Sequence, residues 1–298
     1  MLALRSIHSV RSVRSICPFV EKKVIQSQDR NYATLKEIQL RLKSVNSIAK
    51  ITKSMKMIAS TKMTRAQKAM EVARFFGTTQ TDLFNNANTK PTEDGKTLII
   101  TVSSDRGLCG GIHSSVAKYS RKLVAEKPNS QIVVLGDKAK GQLARTVRDN
   151  IQLSFNQIGK AVPTYAEACA VADTILKEKV DFDQAIIVYN YFRSVISYEA
   201  ETIPVYSETT FSKSDNFDAY EIEDDVLENL QQFAFSNSIY WGLVEGHASE
   251  MASKRSAMEN ATKNAGEMID KLTLTYNRGR QAVITNELID IITGASAI

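Results

Sequence analysis

Cysteine, histidine, proline and tryptophan are all scarce in this chain of 298 residues. The three cysteines, Cys17, Cys109 and Cys169, are odd in number and far apart. They follow no metal-ligand spacing, which argues against a disulfide framework and suits a reducing compartment. His8, His113 and His247 are equally scattered, so neither a metal site nor any other cofactor is expected. The prolines stand at 18, 91, 128, 163 and 204. None falls between 33 and 90, and none follows 204. An interior proline costs a helix about 3 kcal/mol or more, so both stretches are open to very long helices. No run of 18 apolar residues is present, which excludes an expected transmembrane helix.

What is abundant at the start is arginine and serine. Residues 1–20 hold Arg5, Arg11 and Arg14 with Ser6, Ser9, Ser12 and Ser15 between them, and no acid. That composition predicts a mitochondrial transit peptide over 1–32, against the plainer reading of a basic tail. "RNYAT" resembles a matrix-protease site, with Arg30 two residues before a cut between Tyr32 and Ala33. The segment carries six basic residues and two acids. Its removal lowers the formal net charge from +5 to +1. The remaining charge is segregated. Residues 34–74 hold ten Lys or Arg against Glu37 and Glu71, whereas 206–228 hold eight acids against Lys213.

Heptad spacing predicts a long helix over about 34–84, within an N-terminal coiled-coil segment at 33–90. Leu35, Leu42, Ala49, Lys56, Met63 and Met70 are seven apart, with Ile38, Val45, Thr52, Ala59, Ala66 and Ala73 as partners. Ten of these twelve are apolar, the exceptions being Thr52 and Lys56. The last part of the chain, 209–298, repeats the pattern. Val244, Met251, Met258, Ala265 and Leu272 alternate with Tyr240, His247, Lys254, Ala261 and Met268. The simplest arrangement is one antiparallel coiled coil made by the two ends.

Residues 91–208 change character. "KTLIITVSS" (96–104), "SQIVVLG" (130–136) and "QAIIVYNYF" (184–192) read as buried strands. "SVISYEAETIPVYS" (194–207) alternates and reads as an added antiparallel strand. Helices fit 111–126, 137–148 and 164–179. The fold class is mixed α/β: a Rossmann-like domain inserted between two long helices.

"SSDRGLCGGIHSSVAK" stands where a phosphate loop stands, after a strand and before a helix. Its glycines, Gly107, Gly110 and Gly111, do not form G-x-G-x-x-G, and no GK[ST] follows. Tight turn chemistry at a strand–helix junction is the reading preferred over nucleotide binding. The acids at 221–225 suit a solvated helix start, and Asp181 and Asp183 flank a strand. No catalytic set stands out.

"KITKSMKMIASTKMTR" (50–65) has no acid and spaces its cations helically. A solvated helix face, nucleic acid and an acidic protein surface are three readings of that track. Residues 34–74 contain no Trp or Tyr to stack on bases, which weakens the nucleic-acid reading. A rod that also buries apolar seams fits an acidic protein.

Three stretches carry a resemblance. "ATLKEIQLRLKSVNSIAKITKSMKMIASTKM", "SSDRGLCGG" and "ITNELIDIITGASA" (284–297) resemble motifs of the gamma-subunit family of F-type ATP synthases. In the last, Ile284, Thr285, Glu287, Asp290, Gly294 and Ala295 stand at the family's spacing. The resemblance covers nearly all of 33–298, and the presequence points to the mitochondrial form. It implies a non-catalytic rotor shaft, threaded through a ring of three alpha and three beta subunits. It also implies a foot against the delta and epsilon subunits and the ring of c subunits, on the matrix side of the inner membrane. By family pattern, Met55 and Lys56 lie where the shaft meets an acidic beta-subunit loop. Arg280, Gln281, Thr285 and Glu287 match C-terminal positions that contact beta subunits and the N-terminal helix. The alternative kept open is a coiled-coil protein with a nucleotide-sensing α/β module.

Overall fold

The computed structural model describes residues 34–90, 95–178, 182–217, 220 and 226–297. The transit-peptide reading, the cut between Tyr32 and Ala33, Asp181 and the acids at 221–225 lie outside the described residues.

The first helix, α1, runs Leu35–Asn86. It starts at a capping box: Glu37 N–H donates to the Thr34 hydroxyl, and Thr34 N–H donates to the Glu37 carboxylate at 3.0 Å. The last helix, α6, runs Val226–Ser296, 71 residues and about 105 Å. Between them come β1 (Thr97–Val102), α2 (Ile112–Glu126), β2 (Ser130–Leu135), α3 (Asp137–Leu143), β3 (Ile151–Phe155), α4 (Tyr165–Lys177), β4 (Gln184–Ser194), β5 (Ser197–Tyr206) and the short α5 (Glu208–Phe211). Among the described residues no helix is long and apolar enough to cross a membrane.

The five strands lie in the order β3-β2-β1-β4-β5, parallel except for the β4–β5 hairpin. Side chains of β1 alternate between two cores, as the period of two requires. Leu98, Ile100 and Val102 face one layer with α4 and α6; Ile99 faces the other with α2 and α3. Strand β3 escaped the sequence reading. It is a five-residue edge strand whose half-buried Ile151, Leu153 and Phe155 alternate with exposed residues, too short to stand out from turn-rich surroundings.

The α1–α6 pairing is antiparallel. Leu35 lies by Gly279, Thr52 by Thr262, Lys56 by Glu259 and Gln80 by Ser238. Met63, Ala66, Met70 and Ala73 pack on Val244, Ala248, Met251 and Ala252. The two polar breaks in the α1 seam are answered across it: the Thr52 and Thr262 hydroxyls are 2.9 Å apart, and Lys56 Nζ is 2.7 Å from Glu259. Such a polar seam position sets register more than it adds stability.

Helix α6 does more than complete a coiled coil. Its segment 234–253 is buried almost continuously, because it lies between α1 and the sheet. Gly242 allows this approach: a Cβ there would stand 3.1 Å from Ile187 Cγ2. Beyond Gly279 the helix runs past the start of α1, and residues 280–297 are all exposed.

Candidate functional site

In a doubly wound sheet, ligands enter where strand order reverses, outside the carboxyl ends of the strands. Here that place lies between β1 and β4. It is largely filled by α6, whose Leu243, Gly246, His247 and Glu250 line what remains with Ser103, Ser104, His113 and Asn190.

The motif after β1 is consumed by its own scaffold. The Ser103 hydroxyl donates to Leu135 O at 2.8 Å. The Asp105 carboxylate accepts from Asp137 N–H at 2.9 Å and Gln157 N–H at 2.7 Å, stitching together the loops that follow β1, β2 and β3. Gly110 has φ +63° and Leu108 φ +62°, so the loop turns through left-handed backbone at two positions. Turn chemistry accounts for these residues. The full-length chain is therefore expected to show no saturable ATP binding at Gly107–Gly111. Binding abolished by Gly110→Val, in equilibrium dialysis, would overturn that.

Cys109 and His113 are both buried, with Sγ 3.0 Å from Nε2. The pair is not an activated nucleophile. Burial pushes the thiol up to about 11 and lowers the imidazole below its ordinary value. Half-buried Cys169 should alkylate in the native chain while Cys109 stays unmodified. Peptide mass spectrometry after iodoacetamide treatment reads this directly, and rapid loss of free Cys109 would refute it.

Outside that filled crevice lies an open cleft of about 400 Å³. Its walls come from α1, α6 and the loops after β1 and β3. The cations are Lys62, Arg65, Arg106, Lys160 and Lys254; the carboxylates are Asp105 and Glu250. Three of those charges are already engaged: Asp105 holds the loops, and Lys254 pairs with Glu250 at 2.8 Å. Met55 and Ile58 supply an apolar floor. The excess of cations over carboxylates beside an apolar floor suits a group that is acidic with an apolar edge.

The sequence-derived site residues fall into two groups. Met55 is in the cleft, half-buried. Its neighbour Lys56 sits on the flank of the seam with Glu259. Arg280, Gln281, Thr285 and Glu287 lie on the unpaired end of α6, all exposed, with the Thr285 hydroxyl donating to Gln281 O at 2.9 Å; the expected packing on the N-terminal helix is not made, because α1 begins at Leu35, level with Gly279. Along the axis this group is about 32–42 Å from the level of Lys56, which Glu259 marks on α6. Val283, Ile284, Leu288, Ile289, Ile291 and Ile292 are exposed beside it. Arg106, Lys160 and Lys254 joined the cleft only through folding, since they come from separate elements.

A further cluster lies apart from both groups, at residues the sequence pattern does not single out. Glu245 of α6 is fully buried, paired with Arg74 of α1. Trp241 Nε1–H donates to the same carboxylate at 3.2 Å and Phe192 N–H at 3.1 Å. The signal was a lone acid inside "YWGLVEGHA", a stretch otherwise free of charged residues.

The comparisons agree with one another. A family model described as ATP synthase matches residues 34–298. The mitochondrial ATP synthase subunit gamma of Pichia angusta is 48% identical over 269 residues, covering 89% of this chain and 100% of that protein. The mitochondrial F(1) complex subunit gamma of Rattus norvegicus is 48% identical over 272 residues, again covering 89% and 100%. A chain from the central stalk and c-ring of the Tetrahymena thermophila mitochondrial ATP synthase superposes with TM-score 0.60 at 28% identity, over 71% of this chain and 99% of its own. A rotor chain from the Euglena gracilis enzyme shares the fold, with TM-score 0.71 at 19% identity over 84% and 99%. On the family match and these relatives, the chain belongs to the gamma-subunit family of ATP synthase.

Proposed function

We propose that this chain is the central rotor shaft of a mitochondrial ATP synthase. It couples proton-driven turning of a c-ring to conformational change in catalytic beta subunits, and makes no bonds itself. The observation that carries this is the far end of α6. Residues 280–297 continue the shaft about 27 Å beyond its α1 partner, carry exposed aliphatic side chains, and have no charged side chain after Asp290. Large exposed apolar surfaces of this kind mark interfaces, and here the partner is the bore of the alpha–beta ring. The sheet domain serves as the foot, beside the delta and epsilon subunits and the c-ring. The complex sits on the matrix side of the inner membrane, with this chain attached peripherally.

The mechanism follows from symmetry and charge. One asymmetric rod inside a threefold ring cannot touch three like subunits alike. It biases each toward a different conformation. The cleft with Met55, Lys62, Arg65 and Arg106 is the place we assign to an acidic beta-subunit loop. Arg280 and Gln281, with Thr285 and Glu287 nearby, offer donors to a second beta contact near the tip. Exposed ion pairs are worth about 0–1 kcal/mol each, so a rotor can exchange them without being trapped.

The decisive test is a gentle pull-down of the tagged chain from mitochondria, with mass spectrometry and an ATPase assay. Stoichiometric alpha and beta subunits with activity are expected; the chain alone, or with nucleic acid, would overturn the reading. A point substitution tests the cleft. Met55→Lys adds a cation to the apolar floor and strengthens attraction to an acidic loop. Protons pumped per ATP hydrolysed should fall, and an unchanged ratio counts against the assignment.

A further inference from the structure

Strand β4 is longer than β1. The two pair from Gln184 to Val188, opposite Thr97 to Thr101, while β4 continues to Ser194. Past Val188 the hairpin partner β5 occupies one edge of β4, and among the described residues no strand pairs with the other edge. Its backbone groups are buried there and need partners. The two long helices supply them as side chains. The Ser249 hydroxyl of α6 donates to Asn190 O at 2.9 Å. Phe192 N–H donates to the Glu245 carboxylate at 3.1 Å, and Arg74 Nη2 of α1 donates to Phe192 O at 3.1 Å. The Arg74–Glu245 ion pair thus takes the position of a neighbouring strand, offering one acceptor and one donor to Phe192. Arg74 also lies over the Tyr191 ring, 4.5 Å from its centroid, and Trp241 Nε1–H holds the far oxygen of Glu245.

We infer that the Arg74–Glu245 pair is a torsional key: it fixes the angle of the sheet domain about the two-helix shaft. This rests on the rotor reading above. Apolar contacts between a sheet and a helix are non-directional and resist sliding weakly. Hydrogen bonds from a charged pair whose carboxylate is fully buried are directional and lose their geometry when one body turns against the other. Glu245 is the one carboxylate among the described residues bonded to α1, α6 and β4 together. Arg74 and Glu245 act by positioning, at a distance from any chemistry.

The experiment uses the assembled complex, with a bead fixed to the sheet domain and the alpha–beta ring held on a surface. In a dwell between steps the angular variance of the bead reports the stiffness of the path from tip to foot. Glu245→Gln keeps the shape but loses the charge, and the variance should rise at least twofold. Ser249→Ala removes one cap without leaving a buried charge, and should raise it by a smaller factor; this variant serves if Glu245→Gln fails to assemble. Phe84→Leu weakens the separate cluster at the end of α1, and should lower the melting temperature with variance unchanged. Unchanged variance in Glu245→Gln and in Ser249→Ala, with beads that turn, overturns the key alone. A wild-type complex that hydrolyses ATP without turning the bead overturns the rotor reading.

Discussion

Gly77→Val is expected to be the most damaging single substitution in the shaft. Gly77 lies on the face of α1 that meets Trp241, and a Cβ built there would stand 2.3 Å from Trp241 Cε3 and 2.4 Å from Cδ2. One of the two must move. The indole is pinned: its N–H donates to Glu245, its ring lies 6.0 Å from that of Tyr189, and it is part of the sheet core. The backbone of α1 must therefore lift, opening the neighbouring Ala66–Ala73 seam. Overpacking of this kind costs about 3 kcal/mol, at the upper end of the usual range. For a chain of 298 residues that is about 5 °C in melting temperature. Circular dichroism on the full-length chain measures it. Trp241→Leu should recover part of the loss in a Gly77→Ala background, although it also removes a bond to Glu245. A melting temperature unmoved by Gly77→Val would mean that the helices part freely at this level.

The largest functional effect is expected from Lys62→Glu with Arg65→Glu. Both residues are exposed on α1 and line the cleft. Stability should change little, within about 0.5 kcal/mol per site. Attraction to an acidic loop becomes repulsion. At about 1 kcal/mol for each reversed charge the contact weakens by about 2 kcal/mol, about thirtyfold. Protons pumped per ATP hydrolysed should fall by more than half. The salt dependence supplies a sign that a folding defect cannot mimic. Added salt screens attraction in the wild type and repulsion in the variant, so coupling should fall in one and rise in the other. Equal responses to salt would remove the acidic loop from the cleft.

Much of this molecule was legible without coordinates. The α1 heptads, free of proline, placed Met63, Ala66, Met70 and Ala73 on a seam, and they are buried against α6. The β-branched runs marked β1, β2 and β4, because strands buried on both faces need apolar residues at every position. Even the seam exceptions were informative. Thr52 and Lys56 broke the pattern, and each proved to face a polar partner two hundred residues away.

Other features had no local signature. Edge strand β3 has one sheet neighbour, and its alternation spans only five residues. The cleft takes cations from α1, α6 and two loops, so no single window of sequence contains it. Lys56 looked like its neighbours in the basic track, yet antiparallel register brings Glu259 to it. Glu245 is the plainest case. Whether a lone acid in a helix is solvated or buried depends on how many surfaces close around it, and here α1, the sheet and its own helix close on it at once. Local sequence decides periodicity, because that is set by bonds between residues a few positions apart. Charge pairing at long range depends on register and on strand order, and those are set only when the whole core packs.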